Sequence, residues 1–213
     1  SSAASDVYKR QARARARAAC SGLSLDADWS WWSIPSTQRR VLVAHLAQPP
    51  TRAEQRALSD SLTCRLFADA GQRVAADDFG RTIYGKPQLR NSPLHHSISN
   101  TGSLSIGVVG PDPIGIDVEA LDRPLRVASD LLTRRMFASA AEATDCLEHW
   151  TLIQAWTAKE AVLKAAGLGL GGGLANVTIA SDGAAAWLHG SRYSLRLWTQ
   201  EGFSVAVAEG IRG

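Results

Sequence analysis

Cysteine is scarce in this 213-residue chain: Cys20, Cys64 and Cys146 are odd in number and far apart. Such a pattern suggests neither a disulfide framework nor a zinc site, and fits a reducing cytoplasm. No apolar run is long enough to cross a bilayer, so neither a spanning helix nor a membrane partner is expected. A Walker-type loop is missing too, which leaves an ordinary nucleotide-dependent phosphotransferase without a phosphate cradle. The one match to Gly-x-Gly-x-x-Gly runs from Gly167 to Gly172 and follows a helical segment, whereas a dinucleotide fingerprint follows a strand and opens a helix. It reads as a helix stop and a mobile loop. No internal repeat is visible.

A basic body is also missing. The net charge of +3 and a pI near 9.0 invite a nucleic-acid reading. Residues 1–20, however, hold Lys9, Arg10, Arg13, Arg15 and Arg17 against Asp6, a net of +4 that leaves −1 on the rest. A nucleic-acid surface needs a basic stripe, so no nucleic-acid partner is expected. The opening stretch has no initiator Met. Residues 1–20 are expected to be a disordered or artefactual leader, with a basic tail or a targeting peptide as the alternative. The remaining length allows one large domain or two small ones around a sizeable core.

Two segments carry most of what is present. In Ile114-Gly115-Ile116-Asp117-Val118-Glu119, branched apolar residues alternate with Gly and acids, the pattern of a strand. Ile114, Ile116 and Val118 then face a core while Asp117 and Glu119 project together from the other side. Like charges so placed repel each other unless a cation lies between them, and oxygen-only ligands suit Mg²⁺ or Mn²⁺. The ordinary alternative is a solvated strand face.

The second segment, WTAKEAVLKAAGLGL from Trp156, has helical period and stops at Gly167. Leu152, Ala155, Trp156, Val162, Leu163 and Ala166 fall in one apolar arc. Glu160 and Lys164 lie one turn apart at its edge, by default a surface pair. Lys159 falls inside the arc, where an unpaired ammonium is costly to desolvate; it must snorkel out or meet an anion.

Other segments are less specific. Glu54–Ala70 predicts a helix striped by Leu58, Leu62, Leu66 and Ala70. Trp29, Trp31 and Trp32 read as core packing of an early element. Short antiparallel strands are predicted over Val177–Ile179, Tyr193–Trp198 and Phe203–Ala208. Gly102, Gly107, Gly110, Pro111 and Pro113 punctuate the chain between two halves.

With YGKPQL from Tyr84 and HHSISNTG from His95, these two segments make the chain resemble the 4′-phosphopantetheinyl transferases of the larger, surfactin-synthetase-activating type, from about Leu58 onward. The resemblance implies an α+β fold, a pseudo-dimer of two similar α+β halves with the active site in the cleft between them. The halves would span residues 21–108 and 109–213. It implies transfer of 4′-phosphopantetheine from coenzyme A to a serine of an acidic apo acyl or peptidyl carrier protein, releasing 3′,5′-ADP. Carrier proteins of peptide, polyketide and siderophore assembly are the substrates of such enzymes. Asp117, Glu119 and Glu160 would ligate Mg²⁺, or alternatively Mn²⁺, with Glu160 also the base. Lys164 would hold phosphates and assist catalysis, with Lys159 adding charge.

Lys86, Ser99 and, on the predicted helix, Arg56 would contact coenzyme A. Asn100 stands where the family has His: it can donate to a phosphate oxygen but carries no charge, so weaker coenzyme binding is expected. The alternative is a catalytically weakened relative that binds coenzyme A or carrier protein without transfer. His95 and His96 read as loop residues. Leu131–Phe137 resembles the family's Arg-x-Phe segment, either a carrier-recognition surface with exposed Met136 and Phe137 or a partly buried amphipathic helix. A monomer is expected, because the duplicated fold already builds the cleft.

Overall fold

A computed structural model describes residues 26–74, 78–81, 87–89, 92–124 and 128–211. Strands β1 (Ala27–Ser33), β2 (Arg40–Leu46), β5 (His95–Thr101) and β6 (Leu104–Gly110) form an antiparallel sheet in the order β1-β2-β6-β5. The short β3 (Phe79–Arg81) and β4 (Pro87–Leu89) pair separately. Helix α1 (Arg52–Asp69) covers the first sheet, burying Leu58, Leu62, Leu66 and Phe67 against Leu42 and Ala44. It starts earlier than Glu54 because Thr51 and Glu54 form a capping box, each side chain satisfying the other's backbone N–H. Ala70 is its exposed C-cap rather than part of the stripe, which Phe67 completes instead.

Strands β7 (Ile114–Ala120), β8 (Val177–Ile179), β9 (Ala185–Leu188), β10 (Ser191–Gln200) and β11 (Phe203–Gly210) make a second antiparallel sheet, ordered β7-β11-β10-β9-β8. Between β7 and β8 in the chain lie helices α2 (Ser129–Met136), α3 (Ala140–His149) and α4 (Leu152–Ala165). Helix α4 packs Ala155, Ala158, Val162 and Leu163 into a core with Leu188, Leu195, Ala206 and Ala208. The fold is therefore α+β, two antiparallel sheets each carrying a long helix. Among the described residues no helix is long and apolar enough to cross a membrane.

Between the sheets lies a shared core. Val41, Val43, Ile106 and Val108 of the first pack against Ile114, Ile116, Val118, Val205 and Val207 of the second. The seam between edge strands β5 and β7 is closed by serine side chains. Ser97 Oγ accepts from the Ile116 amide at 3.1 Å and Ser99 Oγ from the Val118 amide at 3.4 Å, so strand amides that face no ladder partner are still satisfied.

Several expectations change. His96 is a buried strand residue set edge-on against Phe67, and His95 also lies on β5, so neither is a loop histidine. Trp32 joins the shared core, whereas Trp29 and Trp31 are partly buried and stacked beneath Arg65 and Arg40. Met136 and Phe137 are buried under α2, which leaves Leu131 as its exposed apolar residue and makes Leu131–Phe137 a partly buried amphipathic helix. Cys64 is disulfide-bonded, which the scattered cysteines did not suggest. The glycine run after α4 forms two 3-10 turns, Gly169–Gly172 and Leu174–Asn176.

Candidate active site

Alternation along β7 decides which side chains reach α4. Ile114, Ile116 and Val118 are fully buried in the core between the sheets, so Gly115, Asp117 and Glu119 share the opposite face. At Gly115 the helix backbone comes so close that an added Cβ would collide with the Ala161 carbonyl oxygen and the Ala165 amide, and lie 2.9 Å from the Lys164 carbonyl carbon. Glycine there seats α4 on the strand. The next two residues on that face, Asp117 and Glu119, then emerge beside Glu160 and Lys164, one helical turn apart.

Lys164 Nζ donates to Asp117 Oδ1 at 2.7 Å and to Ser99 Oγ at 2.8 Å, while Ser99 Oγ donates to the same carboxylate oxygen at 2.7 Å. Ser99 comes from the first sheet, the acids and Lys164 from the second, so the cluster forms where the two parts meet. Glu119 is ion-paired with Arg123 and accepts from Thr101 Oγ1 at 3.3 Å. Sequence reasoning missed Arg123 and Thr101; the signal was an Arg just past the strand end and a Thr two residues beyond Ser99 on β5.

Asp117 is 4% exposed and Glu160 7%. Burial, and then the neighbouring Asp117 charge, pushes the Glu160 carboxyl up to about 7; Lys164 pulls it back, Glu119 adds to the rise and Arg123 opposes it. Asp117 Oδ2 is buried with no hydrogen-bond partner among the described residues. An orphaned carboxylate oxygen next to two further acids is a donor set suited to a hard divalent cation. Among the described residues, no three such side chains already close on a common point. Lys164 and Arg123 pair with Asp117 and Glu119 instead.

Glu160 gives a sharp pH expectation. Between pH 4.5 and about 7 the folded chain keeps a proton that the unfolded chain has released, so stability falls as pH rises through that window. Without divalent ions this group should make the wild type roughly 3 kcal/mol less stable at pH 8 than at pH 4.5. Glu160→Gln cannot titrate and should lose that slope. Urea unfolding of both proteins across the window checks it; parallel profiles would place the titrating group elsewhere.

Lys159 does not join the cluster. It is 0% exposed, and its ammonium donates to Glu142 Oε1 at 2.8 Å and to the carbonyls of Leu174 and Val177, above the Phe137 ring. The anion that answers this buried lysine is Glu142 of α3. Burial lowers its pKa, against the hydrogen bond and charge of Glu142. Sequence reasoning missed Glu142, although Ser139-x-x-Glu142 is a helix-start signature.

Asn100 Oδ1 accepts from Gln55 Nε2 at 2.8 Å and from Ser105 Oγ at 3.1 Å. Arg56 is exposed on α1, next in sequence to Gln55. Lys86 lies outside the described residues.

Residues 113–208 match the family described as the 4′-phosphopantetheinyl transferase superfamily. The chain is similar to "4′-phosphopantetheinyl transferase psf-1" of Bacillus pumilus, 34% identical over 110 residues that cover 47% of this chain and 45% of that protein. It is also similar to "4′-phosphopantetheinyl transferase ffp" of Bacillus subtilis, 29% identical over 122 residues, 55% of this chain and 54% of that protein. The chain thus spans about half the length of the curated relatives it matches.

Proposed function

We propose that this chain, whose residues 113–208 match the 4′-phosphopantetheinyl transferase superfamily, transfers 4′-phosphopantetheine from coenzyme A to a serine of an apo acyl or peptidyl carrier protein, releasing 3′,5′-ADP. The observation that carries this reading is the cluster of Ser99, Asp117, Glu160 and Lys164 at the junction of the two sheets, with one Asp117 oxygen buried and unpaired. The proposed halves are residues 21–108 and 109–213, acting as a monomer on an acidic carrier.

Asp117, Glu119 and Glu160 would hold Mg²⁺, or Mn²⁺ in its place. Bound there, the ion would supply charge neutralisation for the coenzyme's pyrophosphate. The remaining work falls to side chains. Ser99 and Lys164 hold Asp117 in place, and Lys164 offsets negative charge gathering on the departing 3′,5′-ADP. The carrier serine's Oγ–P bond forms as the bond from phosphorus to the leaving phosphate oxygen breaks, and the serine proton passes to Glu160, directly or through water.

Intact-mass spectrometry of apo-carrier protein incubated with the chain, coenzyme A and Mg²⁺ tests the reading. A phosphopantetheine mass gain is expected, lost with chelator. Glu160→Gln should bind coenzyme A yet transfer roughly 10²–10⁴-fold more slowly. Near-normal turnover would remove Glu160 from the base role. No mass gain on several carriers, with coenzyme A still bound, would favour the weakened relative.

A further inference from the structure

Where the resembled family has histidine, this chain has Asn100, and the residues around it form an arrangement of their own. Gln55 from the first turn of α1 donates both amide hydrogens, one to Asn100 Oδ1 at 2.8 Å and one to Ser105 Oγ at 3.0 Å. Ser105, 1% exposed on β6 and paired across the ladder with Asn100, donates its hydroxyl hydrogen to the same Oδ1 at 3.1 Å. The three groups close a ring in which both lone pairs of Oδ1 are used. Asn100 itself is exposed, and with its oxygen so engaged its amide nitrogen is left to present two N–H donors on the α1 face of β5, the face opposite Ser99.

We propose that Gln55 and Ser105 are positioning residues that hold the Asn100 side chain in one place, so that its NH₂ group can meet a coenzyme phosphate there, a neutral substitute for a charged side chain. The proposal rests on the coenzyme A reading above. An asparagine side chain has a donor and an acceptor end of nearly equal shape, and only the donor end can meet an anion. The ring closes equally well in the opposite sense if both amides turn over together, which would point the Asn100 oxygen outward. A phosphate at Asn100 selects the donor-outward sense, and the buried Ser105 hydroxyl keeps the two amides in register. Gln55 thus acts through Asn100, without touching the ligand.

Calorimetric titration of 3′,5′-ADP, which carries two of the coenzyme's phosphates, tests this in a double-mutant cycle. The proteins are wild type, Gln55→Met, Asn100→Ala and the double variant, with the urea midpoint measured for each. Asn100→Ala is expected to weaken binding about tenfold and Gln55→Met about fivefold, on the scale of single hydrogen bonds. The double variant should bind no more weakly than Asn100→Ala. Ser105→Ala should weaken binding when Asn100 is present and have no effect when it is added to Asn100→Ala. Wild-type affinity in Gln55→Met would overturn the proposal, as would a Gln55 effect that persists in full without Asn100. Failure of the wild type to bind 3′,5′-ADP would overturn the coenzyme reading itself, and this inference with it.

Discussion

Gly115→Ala is expected to lower stability by about 3 kcal/mol and to remove most of the proposed transfer activity. The new methyl group has nowhere to go. What it meets is backbone, at Ala161, Lys164 and Ala165, on a helix whose own Ala158, Ala161, Val162 and Leu163 are fully buried, so no flexible side chain can swing aside. Relief requires α4 to lift from β7. That movement carries Glu160 and Lys164 away from Asp117, and a displacement of ~1 Å in a reacting constellation can cost ~10²-fold in rate. Urea unfolding and turnover of the same preparation check both parts. A variant close to wild type in both would mean that Gly115 does not seat the helix.

Lys159→Met should be at least as damaging to stability, by about 3–5 kcal/mol, while leaving coenzyme affinity nearly unchanged. Methionine keeps most of the volume and removes the charge. Glu142 and the carbonyls of Leu174 and Val177 then lose their shared donor. Replacing both charges, as in Lys159→Met with Glu142→Leu, should recover part of the loss, because no charge is stranded. The measurement is the urea midpoint of the two variants, together with KM for coenzyme A below the transition. A tenfold rise in KM at unchanged stability would return Lys159 to the phosphates.

These two positions show where the sequence was legible. β7 and α4 could be read because each buries one face, and burial writes a period into the chain: two for the strand, 3.6 for the helix. The same periodicity flagged Lys159 as misplaced without naming its partner. Glu142 lies 17 residues upstream on a different helix, and the turn through Trp150 and Thr151 that brings α3 back beside α4 has no apolar rhythm to read. Strand β9 escaped notice for a related reason: Ala185-Ala186-Trp187-Leu188 is too short to establish an alternation. His96 illustrates the opposite failure. Its polar side chain suggested a loop, whereas the strand buries it edge-on against the Phe67 ring from α1. Gln55 could not be connected to Asn100 at all, since their contact depends on how α1 lies across the first sheet.

The pairing of β7 with β11 joins residues 114–120 to residues 203–209, roughly ninety positions further along. At ~5–20 residues per second of synthesis, that gap keeps β7 waiting roughly 5–20 s for its ladder partner. Asp117 and Glu119 are made early and pass that interval as ordinary strand-edge acids. Helix α4 follows about forty residues after β7, but the sheet against which it packs Ala206 and Ala208 is still incomplete. A chain stopped short of Phe203 would therefore carry every acid and both lysines of β7 and α4, without the completed sheet that arranges them as a site.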